Sequence, residues 1–249
     1  MSVNLYLEAL SALSGCNVEA TTGASQLSAQ DFVNIVALRE FYKQKGFKEL
    51  EYESLGTLSL QDMEDQDMYS SPPALTDGPA DGDKTFMRGN EKYIRPCGWK
   101  RAALHVLKQY EDGNGWLGTG RDAWPVSYHG HNMDGSLGII LTHDGRVDDE
   151  PSFLNAAAAS LRNPDTRGRG VYSTPDIKMA EKYCKTFMSS VDGKRYKVVL
   201  QNRINPKKRM NCQREDIWLV YIPEGCTDVQ AKAIVQESLR PYGLLLKQV

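Results

Sequence analysis

The sequence predicts an α+β chain in which strands and helices fall in separate runs rather than in strict alternation. Two strands carry this reading. Tyr196-Lys-Val-Val-Leu-Gln-Asn-Arg-Ile204 is rich in β-branched residues and bounded by glycine and proline. Asp216-Ile-Trp-Leu-Val-Tyr-Ile222 ends at Pro223 with no helical pattern between the two. The absence of an internal repeat is the third observation, and it argues against a solenoid or a doubly wound sheet. At 249 residues and 41% hydrophobic content, the chain can bury a real core.

Taken in order, Leu5, Leu7, Leu10 and Leu13 mark a short helix ending near Gly15. Ser28 and Asp31 open a second helix as N-cap and first-turn acid, and Phe32, Ile35, Val36, Leu38 and Tyr42 follow at helical spacing. Residues 47–60 fit either a strand or a short helix. Residues 61–90 hold many Asp, Gly and Pro and read as an extended linker. Ala102, Ala103, Val106, Leu107 and Tyr110 give a helix face that ends at Asp112-Gly-Asn-Gly115. A strand then ends at His129. Residues 134–141 read as a short helix and 142–167 as a long polar loop. A helix is expected over 176–188, with a turn at Asp192-Gly193. Thr227 to Leu239 reads as a helix and Pro241 to Lys247 as a terminal strand. The division expected is a small, acidic, partly helical region (1–60), the linker (61–90) and one larger domain (91–249).

The net charge of −2 hides an asymmetry. Of 32 acidic and 30 basic side chains, residues 1–90 hold 14 and 6, which leaves 18 and 24 for the remainder. A basic second half can attract phosphates or acidic surfaces, and Lys207, Lys208 and Arg209 are its densest run. No apolar run reaches the ~18 residues of a membrane span, and the N-terminus lacks the pattern of a secretory signal. The five cysteines are scattered without a Cys-x-x-Cys. Reduced thiols in the cytoplasm or nucleus are therefore expected.

Two stretches hold the candidate chemistry. Trp124-Pro-Val-Ser-Tyr-His-Gly130 ends a strand in His-Gly, and Gly168-Arg-Gly-Val-Tyr172 ends another in tyrosine. Tyr183 follows eleven residues later, about three helical turns. The set resembles the diphtheria-toxin-like ADP-ribosyltransferases, the class containing the poly(ADP-ribose) polymerases, over roughly the last 150 residues. In that class the first motif is His-Gly-Ser/Thr on a strand. The second is Gly-x-Gly-Ile/Val-Tyr, with a further tyrosine eleven residues on.

The resemblance implies a split β-core with flanking helices around an NAD cleft, with NAD as a substrate and no metal. It implies that His129 bonds a hydroxyl of the adenosine ribose and that the Gly130 backbone grips the nicotinamide carboxamide. Tyr172 and Tyr183 would sandwich the nicotinamide ring. The family's third motif, Glu-Tyr-Ile-Val-Tyr, matches Ile217-Trp-Leu-Val-Tyr221, so Ile217 occupies the glutamate position. Glu215 shares the strand facing of Ile217 and is a candidate replacement. The serine between the two tyrosines is also absent. Ala180 stands there, and Ser173 or Ser127 are candidates to substitute. Members without the glutamate transfer single units or are inactive.

The expected function is therefore mono-ADP-ribosyl transfer from NAD to a protein or nucleic-acid acceptor. The other class is an inactive binding module whose basic surface docks a phosphate-rich or acidic partner. Two rival chemistries are weaker. His129-x-His131 offers two imidazoles to a metal, with no third ligand at a telling spacing. Cys97 and Cys184 lack a nucleophile motif.

Overall fold

A computed structural model of the chain describes residues 3–19, 28–44, 86–104, 106–133, 170–212, 216–223 and 225–249. The architecture is α+β, and every strand pairing among the described residues is antiparallel. The main sheet is built on β7 (Arg195–Ile204), which pairs along its whole length with β10 (Leu239–Gln248). β10 in turn pairs β3 (Lys100–Ala103). The other edge of β7 takes β4 (Val126–His129) and β6 (Thr186–Met188). A smaller sheet has the order β5 (Gly170–Ser173), β9 (Trp218–Tyr221), β8 (Met210–Asn211). One bridge, Tyr128 to Thr174, joins the two sheets. A hairpin of β1 (Phe86–Arg88) and β2 (Glu91–Tyr93) stands apart.

The strands are apolar on both faces because both faces are covered. Val198 and Leu200 belong to one apolar cluster and Val199 to a second. The same division splits β9: Trp218 and Val220 face the first cluster, Leu219 and Tyr221 the second. The first cluster is roofed by α1 (Val3–Ser14), α2 (Ala29–Gln44) and α4 (Asp228–Ser238). The short α3 (Ile177–Lys182) lies in the second.

Helix α2 is buried on almost every side from Ala29 to Leu38, as befits a helix enclosed by neighbours rather than laid on a surface. It touches α1, α4, β5 and β10. Its start is a reciprocal cap: Ser28 Oγ accepts from Asp31 N at 3.1 Å, and Ser28 N donates to an Asp31 carboxylate oxygen at 3.1 Å. Helix α4 opens the same way. Thr227 Oγ1 accepts from Gln230 N at 3.3 Å, and Thr227 N donates to Gln230 Oε1 at 2.9 Å. Thr227→Ala removes one side of this cap and should cost about 1 kcal/mol, measured as a shift in the denaturation midpoint with an unchanged slope.

Three expectations are corrected. Lys100–Ala103 is a strand, not the start of a helix, because β10 has an open edge along Gly243–Leu246 that it fills. Leu104 extends this by donating to Tyr242 O at 3.1 Å. A non-local ladder here overrides a local helical pattern. Helix α3 stops at Lys182, and Thr186–Met188 instead forms a hairpin with β7 around Asp192-Gly193, where Gly193 has φ +68°. Residues 86–88, expected in the linker, pair with 91–93. The readings at 47–60, 134–141 and 142–167 lie outside the described residues.

Candidate functional site

The end of β4 turns tightly, and this turn gathers the other segments. Met133 N donates to Gly130 O at 2.9 Å. Met133 O then accepts from Tyr172 N at 3.1 Å, tying the turn to β5. Asn132 N donates to Tyr183 O at 3.0 Å, tying it to the end of α3. His129 Nδ1 lies 2.8 Å from Tyr172 O. A carbonyl only accepts, so Nδ1 carries the proton that faces Tyr172 O.

Glycine is required at 130 by packing. A Cβ there would stand 2.8 Å from Ala180 O and 2.9 Å from Tyr183 C and O. The missing side chain therefore admits the end of α3.

Strand alternation sorts the remaining side chains. Tyr172 pairs with Leu219, and Ile217 lies two residues earlier on the same face. Tyr172, Ile217, Met133 and Ala180 pack in one cluster with the Tyr183 ring against it. Ile217 thus lies in the same apolar cluster as the Tyr172 ring, on the same face of the sheet. Ser173 and Ser127 point the other way. Ser173 pairs with Trp218 of the first cluster, and Ser127 and His129 pair with Asn202 and Leu200. The Tyr128–Thr174 bridge sets Ser173 beside His129 across the joint between the sheets. Ser173 therefore does not share the Tyr172 face. Glu215 lies outside the described residues.

His129, Tyr172 and Ile217 are all fully buried, while Tyr183 is half-buried. On the His129 face, Ser127 Oγ, Ser173 Oγ and Asn202 Oδ1 are buried and make no hydrogen bond among the described residues. Each such group costs about 1–3 kcal/mol unless a water or ligand satisfies it. Ser127 and Ser173 were candidates from the sequence, but Asn202 has no signal of its own, since only register brings it beside them.

A carboxylate does stand near Tyr183, but it is engaged elsewhere. Glu181 accepts from Lys197 at 3.0 Å and from Lys247 at 3.0 and 3.1 Å. Burial raises its pKa, but the hydrogen bonds from Lys247 and Lys197 outweigh this and hold it below the ordinary value. The rival chemistries gain nothing. His131 sits past the strand, where Arg39 of α2 contacts its ring and donates to its carbonyl at 2.9 Å. No group of three metal-ligating side chains occurs among the described residues. Burial pushes the Cys184 thiol up to about 12, away from nucleophilic thiolate.

The basic loop is largely neutralised. Lys208 pairs with Glu237 at 2.5 Å, and Arg209 pairs with Glu91 while stacking 3.7 Å over Trp218. Comparison of the chain with protein-family models, curated proteins and solved structures gives no match.

Proposed function

We propose that the chain is an NAD-dependent mono-ADP-ribosyltransferase. The observation that carries this reading is the convergence of His129-Gly130, Tyr172 and Tyr183 on one turn, held by the imidazole and two main-chain hydrogen bonds. These main-chain links bring the ends of the two motifs to one turn, with the His129 ring on one sheet face and the Tyr172 ring on the other, and they support the reading.

The residues present fit a ribose-bearing ligand. Ser127 Oγ, Ser173 Oγ and Asn202 Oδ1 are buried polar atoms on the face of the His129 imidazole. Hydroxyl groups of a sugar would satisfy such atoms. NAD supplies the labile ribose–nicotinamide bond, whose cleavage builds positive charge on the sugar. Tyr172 and Tyr183 would fix the nicotinamide ring by stacking, and the turn at Gly130 would orient the carboxamide. Ile217, beside Tyr172, has no charge with which to activate an acceptor hydroxyl for a second transfer.

Single units are therefore expected on the acceptor after incubation with labelled NAD. A ladder of long polymer on a gel would overturn this. Ile217→Glu tests the same contact. It should confer elongation if residue 217 faces the reacting ribose.

A second reading has its own observation. His129 and Tyr172 are sealed from solvent, as they would be in an inactive module that keeps the cleft as a scaffold. In that case substitutions at His129 and Tyr172 leave NAD turnover at the buffer level and binding to an acidic or phosphate-rich partner unchanged.

A further inference from the structure

We propose that Arg88, Arg101 and Arg203, set against Tyr93, Gln201 and Tyr242, form a binding site for a small phosphate group. The site lies on the sheet face opposite His129, where Tyr128 turns its ring, and it does not depend on the NAD reading.

Arg203 is the floor. It is only 4% exposed, and its Nη atoms donate to backbone carbonyls: Nη1 to Trp124 at 2.7 Å and Gly118 at 3.2 Å, Nη2 to Leu117 at 2.7 Å. These bonds hold the fork rigid. Its Nε is buried and makes no hydrogen bond among the described residues. Burial lowers its pKa, the neighbouring Arg88 works in the same direction, and the Tyr242 and Tyr93 phenols partly offset this. No carboxylate among the described residues pairs with Arg203 or Arg88. Among the described residues this buried guanidinium is balanced by carbonyl dipoles and tyrosines rather than by a carboxylate, which leaves a net positive field.

The rim adds charge to that field. The Arg101 and Arg203 guanidinium carbons each lie 5.0 Å from the Tyr242 ring centroid, and Arg88 lies 4.8 Å from that of Tyr93. Arg101 is aimed by its bonds to Gln201 Oε1 at 2.9 Å and Tyr242 O at 3.0 Å. Gly243 leaves room for it, since a Cβ there would stand 2.7 Å from Arg101 Nε. Tyr93 and Tyr242 are half-buried and Arg88 is reachable from solvent. Fixed arginine forks match the tetrahedral oxygens of phosphate. The proposed ligand is a terminal phosphate, compact enough to seat on the Arg88 rim above the buried Arg203 Nε, rather than a phosphodiester backbone.

The test is calorimetry on the full chain with inorganic phosphate, with a nucleoside 5′-monophosphate, and with a single-stranded oligonucleotide lacking terminal phosphates. Phosphate and the monophosphate should bind saturably at constant ionic strength. Arg88→Gln, a rim change, should weaken both by at least about tenfold. Arg203→Lys keeps the charge, loses the fork and should do the same. His129→Ala should bind phosphate like the parent, which separates this site from the NAD reading. Absence of saturable phosphate binding would overturn the proposal, as would parental affinity in folded Arg88→Gln. Binding of the oligonucleotide but not of phosphate would overturn it too, assigning the surface to a polynucleotide.

Discussion

Replacing Gly170 by alanine should destabilise the chain by about 3 kcal/mol or more. Gly170 has φ +153°, a conformation that L side chains rarely adopt. An added Cβ would lie 2.0 Å from Val220 O and 2.9 Å from Val220 C. Both are backbone atoms of β9, the strand that β5 pairs with, so no rotamer change relieves the clash. The strands must separate, and the Tyr172–Leu219 register is lost with them. Gly113→Ala is the control. It also has positive φ, at +77°, but nothing lies within 4 Å of its Cβ. It should cost only the left-handed penalty, roughly 1–2 kcal/mol. Denaturant titration of both variants checks this, and a loss at Gly170 no larger than at Gly113 would contradict it.

The second large effect concerns activity. On the proposed reading, His129→Ala should lower NAD turnover by about a hundredfold or more, because it removes both the proposed ribose contact and the hydrogen bond that fixes the ring to Tyr172 O. At Tyr172 the two reasons for an aromatic ring can be separated. Tyr172→Phe keeps the ring and the packing with Ile217 and Met133, and should retain most activity. Tyr172→Ala loses the ring, opens a cavity costing roughly 3–5 kcal/mol, and should lose both turnover and stability. Nicotinamide release, followed alongside the denaturation midpoint, distinguishes loss of the site from loss of the fold. Equal turnover in the parent and folded His129→Ala would remove the imidazole from the mechanism.

The parts legible in sequence were those with local physical causes. β7 and β9 declare themselves by β-branched and aromatic runs, and α2 and α4 by their Ser28 and Thr227 caps. β3 and β6 were not legible because their partners, β10 and β7, are distant or create the strand only by pairing. The enclosure of α2 was hidden as well, since polar Gln30 and Asn34 are among its buried residues. They are held inside by mutual bonding and by Tyr110 OH, 2.7 Å from Gln30 Oε1. Motif spacing singled out His129, Tyr172 and Tyr183, whose backbones lie around one turn. It could not show that Gly130 yields to the end of α3, that Ser173 faces away from Tyr172, or that Arg203 has no carboxylate partner among the described residues. Those facts depend on register and on which backbone passes closest.

Calorimetric titration of the full chain with NAD, in parallel with His129→Ala, tests the central claim most directly. The expected result is saturable binding at one site for the parent and its loss in a variant that remains folded by circular dichroism. Absence of heat at millimolar NAD with folded parent protein would contradict it.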